Sequence, residues 1–384
     1  MNLLQLSKDF MISNLDSRYQ TLIQIEPILS DLNKNDNLSI IGYSVQNRPI
    51  YKYIIGNGKT KLYMWSQMHG DESTSTKAVL DFLNFLNSDN DLAIEFINQF
   101  TVCIIPMLNP DGAALYTREN ANEIDLNRDA INLSQPESLV LLNEFKRFEP
   151  DYCFNLHDQR SIYGAGDSGK PAIVSFLAPS YNEERSVNES RQKAISVIEA
   201  INFELQKTNP GSIGRFDDTY NPNCVGDTFQ KYNIPTILFE GGHSGNDYSR
   251  EIPRNLLFTA FLSGLKSIYE NDLVVNEKPN YLKIPQNKVN FYDFICRNVN
   301  IYLQNSEKCI NFAVQYKEVL KNDKIVFEAY ISQIDNLENF FGHKELDFNG
   351  KLYSDSDKNV PIIDQIANFK IYNQVVFENG SFKL

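Results

Sequence analysis

The sequence predicts an α/β fold: a mixed, largely parallel central sheet flanked by helices, with a β-rich accessory domain at the C-terminal end. Three observations predict it. Short apolar runs (KLYMWSQM, FTVCIIPM, DYCFNL, IPTILF) alternate with longer segments of helical periodicity. Each of these runs leads directly into polar residues capable of catalysis. After about residue 272 the alternation stops, and segments such as KIVFEAYIS and FKIYNQVVF bring alternating, aromatic and β-branched residues. Buried strands alternating with helices form layered structures in which helices cover both faces of the sheet.

The elements follow in order. Residues 14–33 read as a helix, because Leu15, Tyr19, Leu22, Ile23, Ile25 and Leu29 recur at helix-like spacing. A strand over 61–68 is followed by a helix over 73–86, with Val79, Phe82, Leu83 and Leu86 on one face. A second strand covers 100–107, and a helix over 136–148 opens on proline, which suits a first helical turn. A third strand at 151–156, a long helix at 184–207, a fourth strand at 234–239 and a helix at 251–269 complete the alternating part. We therefore expect one domain over residues 1–272 and a β-rich accessory domain over 273–384.

Composition excludes several function classes. The chain of 384 residues is 42% hydrophobic and 22% charged, which is a globular composition and not a disordered one. Its 36 Lys and Arg against 49 Asp and Glu give a formal charge of −13, which repels phosphate backbones, so no nucleic-acid partner is expected. No apolar run is long enough to cross a bilayer, so no membrane partner is expected either. The N-terminal stretch lacks a basic region followed by an apolar core, and no signal peptide is expected. The five cysteines are odd in number and form no CxxC, which points to a reducing compartment, the cytoplasm. Cys103 and Cys153 lie in apolar strands and read as small core residues.

The chemistry sits where the strands end. The first strand leads into His69, in MHGDE, and the second into LNPDG, just before Arg118. The third leads into His157, in NLHD, and the fourth into Glu240, in LFEGG. Open α/β sheets bind ligands outside the carboxyl ends of their strands, which places His69, His157 and Glu240 on one crevice. The His69-x-x-Glu72 spacing aims two donors at one point, and His157 completes a His₂Glu set of the kind that holds catalytic zinc. Glu240, behind an apolar strand, is the candidate base, since partial burial raises a carboxyl toward a useful pKa. Arg118 and Arg128, in NPDGAALYTRENANEIDLNRD, supply forks for a carboxylate or for a developing oxyanion. His243 lies near Glu240 and can line the crevice, Arg160 is a candidate substrate contact, and His343 reads as a surface residue.

HGDE, NPDG…TREN, DLNRD, NLHD and FEGG together resemble the ordered signature of the zinc metallocarboxypeptidases, the carboxypeptidase A-like family, over roughly residues 40–270. The resemblance implies an α/β sandwich around a mixed sheet, and hydrolysis next to a terminal carboxylate. By position it implies zinc, one ion per chain, on His69, Glu72 and His157, with Glu240 as general base. It further implies that Arg118 polarises the scissile carbonyl, that Asn127 and Arg128 grip the terminal carboxylate, and that Asp125 orients a zinc-ligating histidine. Tyr220, in DDTYNPN, matches the family's mobile tyrosine. Asp71 stands where the digestive members carry an arginine.

The expected activity is thus zinc-dependent hydrolysis of a peptide bond beside a free C-terminal carboxylate, and the expected partner is a peptide or an acylated amino acid with such a carboxylate. One alternative keeps the zinc and makes the chain an N-acyl amino acid deacylase of the succinylglutamate desuccinylase and aspartoacylase kind. Another makes it an inactive peptide-binding module.

Overall fold

The computed structural model describes residues 2–13, 15, 17–270, 280–303, 306–356 and 358–384. Its alternating part contains strands β1 (Leu38–Tyr43), β2 (Pro49–Ile55), β3 (Thr60–Trp65), β4 (Phe100–Ile105), β5 (Tyr152–Asp158), β6 (Tyr163–Ala165), β7 (Val174–Leu177), β8 (Ile213–Arg215) and β9 (Thr236–Gly241). Between them run helices α1 (Leu3–Asp9), α2 (Leu22–Leu32), α3 (Thr74–Leu86), α4 (Asp91–Gln99), α5 (Pro110–Leu115), α6 (Pro136–Phe148), α7 (Glu189–Leu205), α8 (Val225–Lys231) and α9 (Glu251–Tyr269).

Eight of these strands make one sheet in the order β1-β2-β4-β3-β5-β9-β7-β8. The central run β4-β3-β5-β9 is parallel, as is β7 with β8. The pairs β1/β2, β2/β4 and β9/β7 are antiparallel, so the sheet is mixed, as the sequence predicts. The apolar runs are continuous because both faces of the sheet are covered. Leu62 and Met64 of β3 face a core that includes residues of α2, α3, α4, α7 and α9. Tyr63 and Trp65, pointing the other way, pack with Leu141 and Phe145 of α6 and Phe229 of α8. Cys103 and Cys153 are fully buried in this second core.

The helix expected over 14–33 begins only at Leu22, where Thr21 and Gln24 form a capping box. Leu15 and Tyr19 are buried without being helical; residues 14 and 16 lie outside the described residues. Strand β5 runs two residues further than expected and β9 ends two residues later, because their parallel ladder continues through the pair His157↔Glu240. Both candidate residues therefore stand on strands, not in the loops after them.

Beyond residue 280 come β10 (Asn287–Val289), β11 (Phe291–Leu303), β12 (Ser306–Lys321), β13 (Lys324–Ile334), β14 (Phe341–Asp347), β15 (Tyr353–Ser354), β16 (Phe369–Ile371), β17 (Gln374–Glu378) and β18 (Ser381–Phe382). Two four-stranded sheets, β13-β12-β11-β14 and β15-β16-β17-β18, share a core containing Phe294, Val314, Ile331, Phe369 and Phe377. The segment before them belongs to the first body by packing. Tyr281 and Ile284 are buried in its core, and β10 pairs with β6. The boundary expected between residues 272 and 273 lies outside the described residues. We propose two domains because the β-rich end has a hydrophobic core of its own.

Candidate active site

The ends of β3, β5 and β9 open onto a cleft of about 1010 Å³. The loop carrying His69 and Glu72 is held by backbone proximity. A Cβ at Gly70 would lie 1.9 Å from the backbone carbon of Gly112, so only glycine lets this loop lie against α5. Asn109, the N-cap of α5, accepts the Gly112 amide on its side-chain oxygen and donates its own amide to Met68 O and Glu119 O, each at 3.2 Å. One asparagine thus ties the HGDE loop to the TREN loop. Asp111, fully buried, accepts from Ser44, Arg48 and the Gln46 amide, which anchors α5 to the turn before β2. From β5, Asp158 accepts the amides of Thr74 (2.6 Å) and Ser75 (3.1 Å), fixing the start of α3 just past Glu72.

His69, Glu72 and His157 meet. His69 Nδ1 lies 2.7 Å from Glu72 Oε1, and His157 Nδ1 lies 2.8 Å from Glu72 Oε2. The two Nδ1 atoms are 3.2 Å apart, and one donor atom from each residue falls within 4.8 Å of the others. Both histidines are buried, as is Glu72. Burial raises the Glu72 carboxyl, but the two histidines more than offset it and hold the group below the usual carboxylate range. For His69, burial pulls the imidazole down while Glu72 and Asp125 pull it up, to about 9. Burial pulls the His157 imidazole down, with Glu72 opposing. Two imidazole nitrogens and a carboxylate converging in this cluster fit a divalent metal, and their chemistry suits zinc.

Asp125 stands behind His69, its Oδ1 3.0 Å from His69 Nε2. The same oxygen accepts the Asn127 amide and caps the short turn Leu126–Arg128, so one carboxylate places both His69 and the Asn127–Arg128 pair. A partner on the far ring nitrogen fixes tautomer and orientation. Arg118 is 41% exposed in its side chain; it is anchored by Asp125 and points Nη1 to within 3.4 Å of Glu72 Oε1. Asn127 Oδ1 accepts the Val225 amide at the start of α8, which leaves its amide hydrogens as donors. Arg128 is exposed and touches Cys224 Sγ at 3.0 Å. Tyr220 lines the same cleft, half-buried.

Glu240 lies beside His157 on the neighbouring parallel strand, half-buried. Burial raises its carboxyl well above the usual range, with the Glu72 and Asp158 charges adding to the effect and His69 and Arg118 opposing it. Asp71, beside Glu72, is pushed up to about 6 by burial and by that neighbour. Arg160 is exposed at the cleft. His243 is buried and is not among the lining residues. His343 is no surface residue: its ring packs on those of His243 and Phe291, and its Nε2 reaches Ser161 O at 2.7 Å.

Several residues of this cleft were silent in the sequence. Asp227, in the first turn of α8, is a mostly buried acid on the cleft, raised to about 7 by burial. Arg18 and Tyr116 line it too, as do Gln315, Tyr316, Lys317 and Glu318 of β12. Arg18, Tyr116 and Gln315 find partners 98 to 300 residues away, too far for spacing to indicate them.

Comparison with known proteins finds similarity over part of the chain. Residues 29–159 match the family model described as zinc carboxypeptidase. That span holds His69, Glu72, Arg118, Asp125, Asn127, Arg128 and His157, but not Tyr220 or Glu240. The probable carboxypeptidase 2 of Trichophyton verrucosum is 29% identical over 100 residues, covering 26% of this chain and 19% of the relative. The gamma-D-glutamyl-L-diamino acid endopeptidase 1 of Lysinibacillus sphaericus is 35% identical over 83 residues, covering 20% of this chain and 21% of the relative. The chain thus spans about a fifth of the length of these curated relatives. A metallo-carboxypeptidase from Burkholderia cenocepacia superposes with a TM-score of 0.54 at 17% identity, over 67% of this chain and 71% of that one. The α/β fold is that of the metallocarboxypeptidases. Among the described residues, no helix is long and apolar enough to cross a membrane.

Proposed function

We propose that this chain, which matches the zinc carboxypeptidase family over residues 29–159, hydrolyses a peptide bond next to a free C-terminal carboxylate. The observation that carries this reading is the convergence of His69, Glu72 and His157 donors within 4.8 Å, beside Glu240 on the adjoining strand. What a zinc ion held by those three residues supplies is Lewis acidity.

The chain's own groups do the rest. Asn127 and Arg128 hold the terminal carboxylate, an amide donor beside a charged planar fork. Asp125 keeps His69 in its ligating orientation. Glu240, whose burial favours taking up a proton, accepts one from the attacking water and returns it to the departing amine. Arg118 donates to the carbonyl oxygen as negative charge develops there. Tyr220, which lines the cleft, closes over the substrate in this reading. The same groups would serve an N-acyl amino acid, which presents the same carboxylate and an amide. Every role in the proposed chemistry has its residue, which argues against an inactive binding module.

The test is substrate charge. Amidating the C-terminus should lower kcat/KM by about tenfold to a hundredfold, the worth of one charge-assisted pair. In Arg128→Ala that penalty should largely vanish while zinc content stays normal. A parent protein that cleaves amidated and free-acid peptides equally would defeat the exopeptidase reading.

A further inference from the structure

We propose that strand β12 is the far wall of the substrate cleft, and that it limits the substrate to a short peptide or acyl group on the amino side of the scissile bond. The inference rests on the hydrolytic reading above and names the substrate class of that same site.

Gln315, Tyr316, Lys317 and Glu318 line the cleft together with His69, Glu72, His157 and Glu240. The strand is tied to both loops that flank the candidate metal site. On one side Glu318 pairs with Arg18 at 2.8 Å and accepts from Tyr116, two residues before Arg118. On the other, Gln315 Nε2 donates to Ser161 Oγ at 3.0 Å, four residues after His157. Behind them Asp293, 1% exposed, accepts from Tyr248 Oη (2.9 Å), the Tyr316 amide (2.8 Å) and Gln315. That carboxylate fastens β11 and β12 to the segment following β9. His343 adds its bond to Ser161 O.

The candidate carboxylate-binding pair is anchored on a different element, α8. Asn127 and Arg128 bond to Val225 and Cys224 at the start of α8. A substrate whose carboxylate is held there must run from α8 past the His69–Glu72–His157 cluster, and its amino-side extension then meets β12. The volume of about 1010 Å³ is that of a small-molecule site, at its upper end. The limit therefore comes from β12 lying across the amino-side path, where each further extended residue adds about 3.3–3.6 Å of chain that must clear it.

The experiment uses the full, zinc-loaded chain and N-acetylated di-, tri-, tetra- and hexapeptides sharing one C-terminal dipeptide. We expect kcat/KM to fall at least tenfold from dipeptide to hexapeptide. Glu318→Ala, which unties the wall from Arg18 and Tyr116, should bring the ratio toward one. Because it also leaves Arg18 unpaired, a second variant, Lys317→Trp, uses an exposed strand position that accepts an aromatic residue. It should steepen the ratio at least threefold. A series cleaved equally at every length, or a ratio unmoved in both variants, overturns the wall and leaves the hydrolytic reading standing. Failure to cleave any member overturns the hydrolytic reading, and this inference falls with it.

Discussion

On one side of the cleft, His69, His157 and Glu240 stand on or just after buried strands; His157 and Glu240 are register partners in the sheet, and His69 is held by Glu72 and Asp125 from the loops beside it. On the other side, Gln315 to Glu318 stand mid-strand in a sheet with its own core, held to the first body by Arg18, Tyr116, Ser161 and Tyr248. The first side concentrates buried donors at one point. The second offers a surface whose anchoring polar bonds are distributed along its edge. A reacting centre needs groups fixed to fractions of an ångström, and strand ends provide that stiffness. A boundary for the substrate needs only to be in place, and a separate sheet can supply it.

Three experiments sharpen the contrast, beginning with the largest expected effect. His157→Ala removes a donor from the rigid side. Zinc, read by elemental analysis, should fall well below one per chain, and turnover should drop by roughly a thousandfold or more; full zinc retention would sink the ligand assignment. Glu240→Gln keeps the shape but cannot take the proton. It should retain the metal and lose about a hundredfold to ten-thousandfold in kcat, and a parental rate would remove Glu240 from the role of base.

The third experiment addresses the docked side. Burial pushes the His343 imidazole down to about 4, with the Ser161 carbonyl opposing. In the unfolded chain the ring takes up a proton near pH 6.5. Between that pH and about 4 the unfolded state therefore binds more protons, and stability falls as the solution is acidified. Above pH 6.5 this loss is absent. Denaturant titrations should show the parent losing about 1–2 kcal/mol more than His343→Phe between pH 7 and pH 5. Identical losses in the two proteins would mean that the ring is not held neutral at the interface.

The reacting side was far more legible in the sequence than the docked side, for reasons of distance. His69 and Glu72 announce themselves because their partnership is local, three residues apart. His157 and Glu240 were found because apolar strands point to them, although hydrophobicity alone ends those strands too early. Strand β1 went unread since its face pattern is nowhere buried, and α4 because it is short and only partly buried. The NPDG motif was legible as a landmark, but its work proved to be bracing: Asn109 joins two loops and Asp111 holds α5. Tyr220 does line the cleft. The role of β12 left no trace in the sequence, since no periodicity couples Gln315 to Ser161. His343 was misread for the same reason, its covering rings lying in other parts of the chain.

The Arg18–Glu318 pair joins positions 300 residues apart. Synthesis proceeds at roughly 5–20 residues per second, so Glu240 leaves the ribosome roughly four to sixteen seconds before Glu318. Throughout that interval the nascent protein can assemble the proposed metal ligands and base around an unbounded crevice. On the proposed reading, discrimination between substrates is acquired later than reactivity, and a ribosome stalled in between would hold a chain with the second property and not the first.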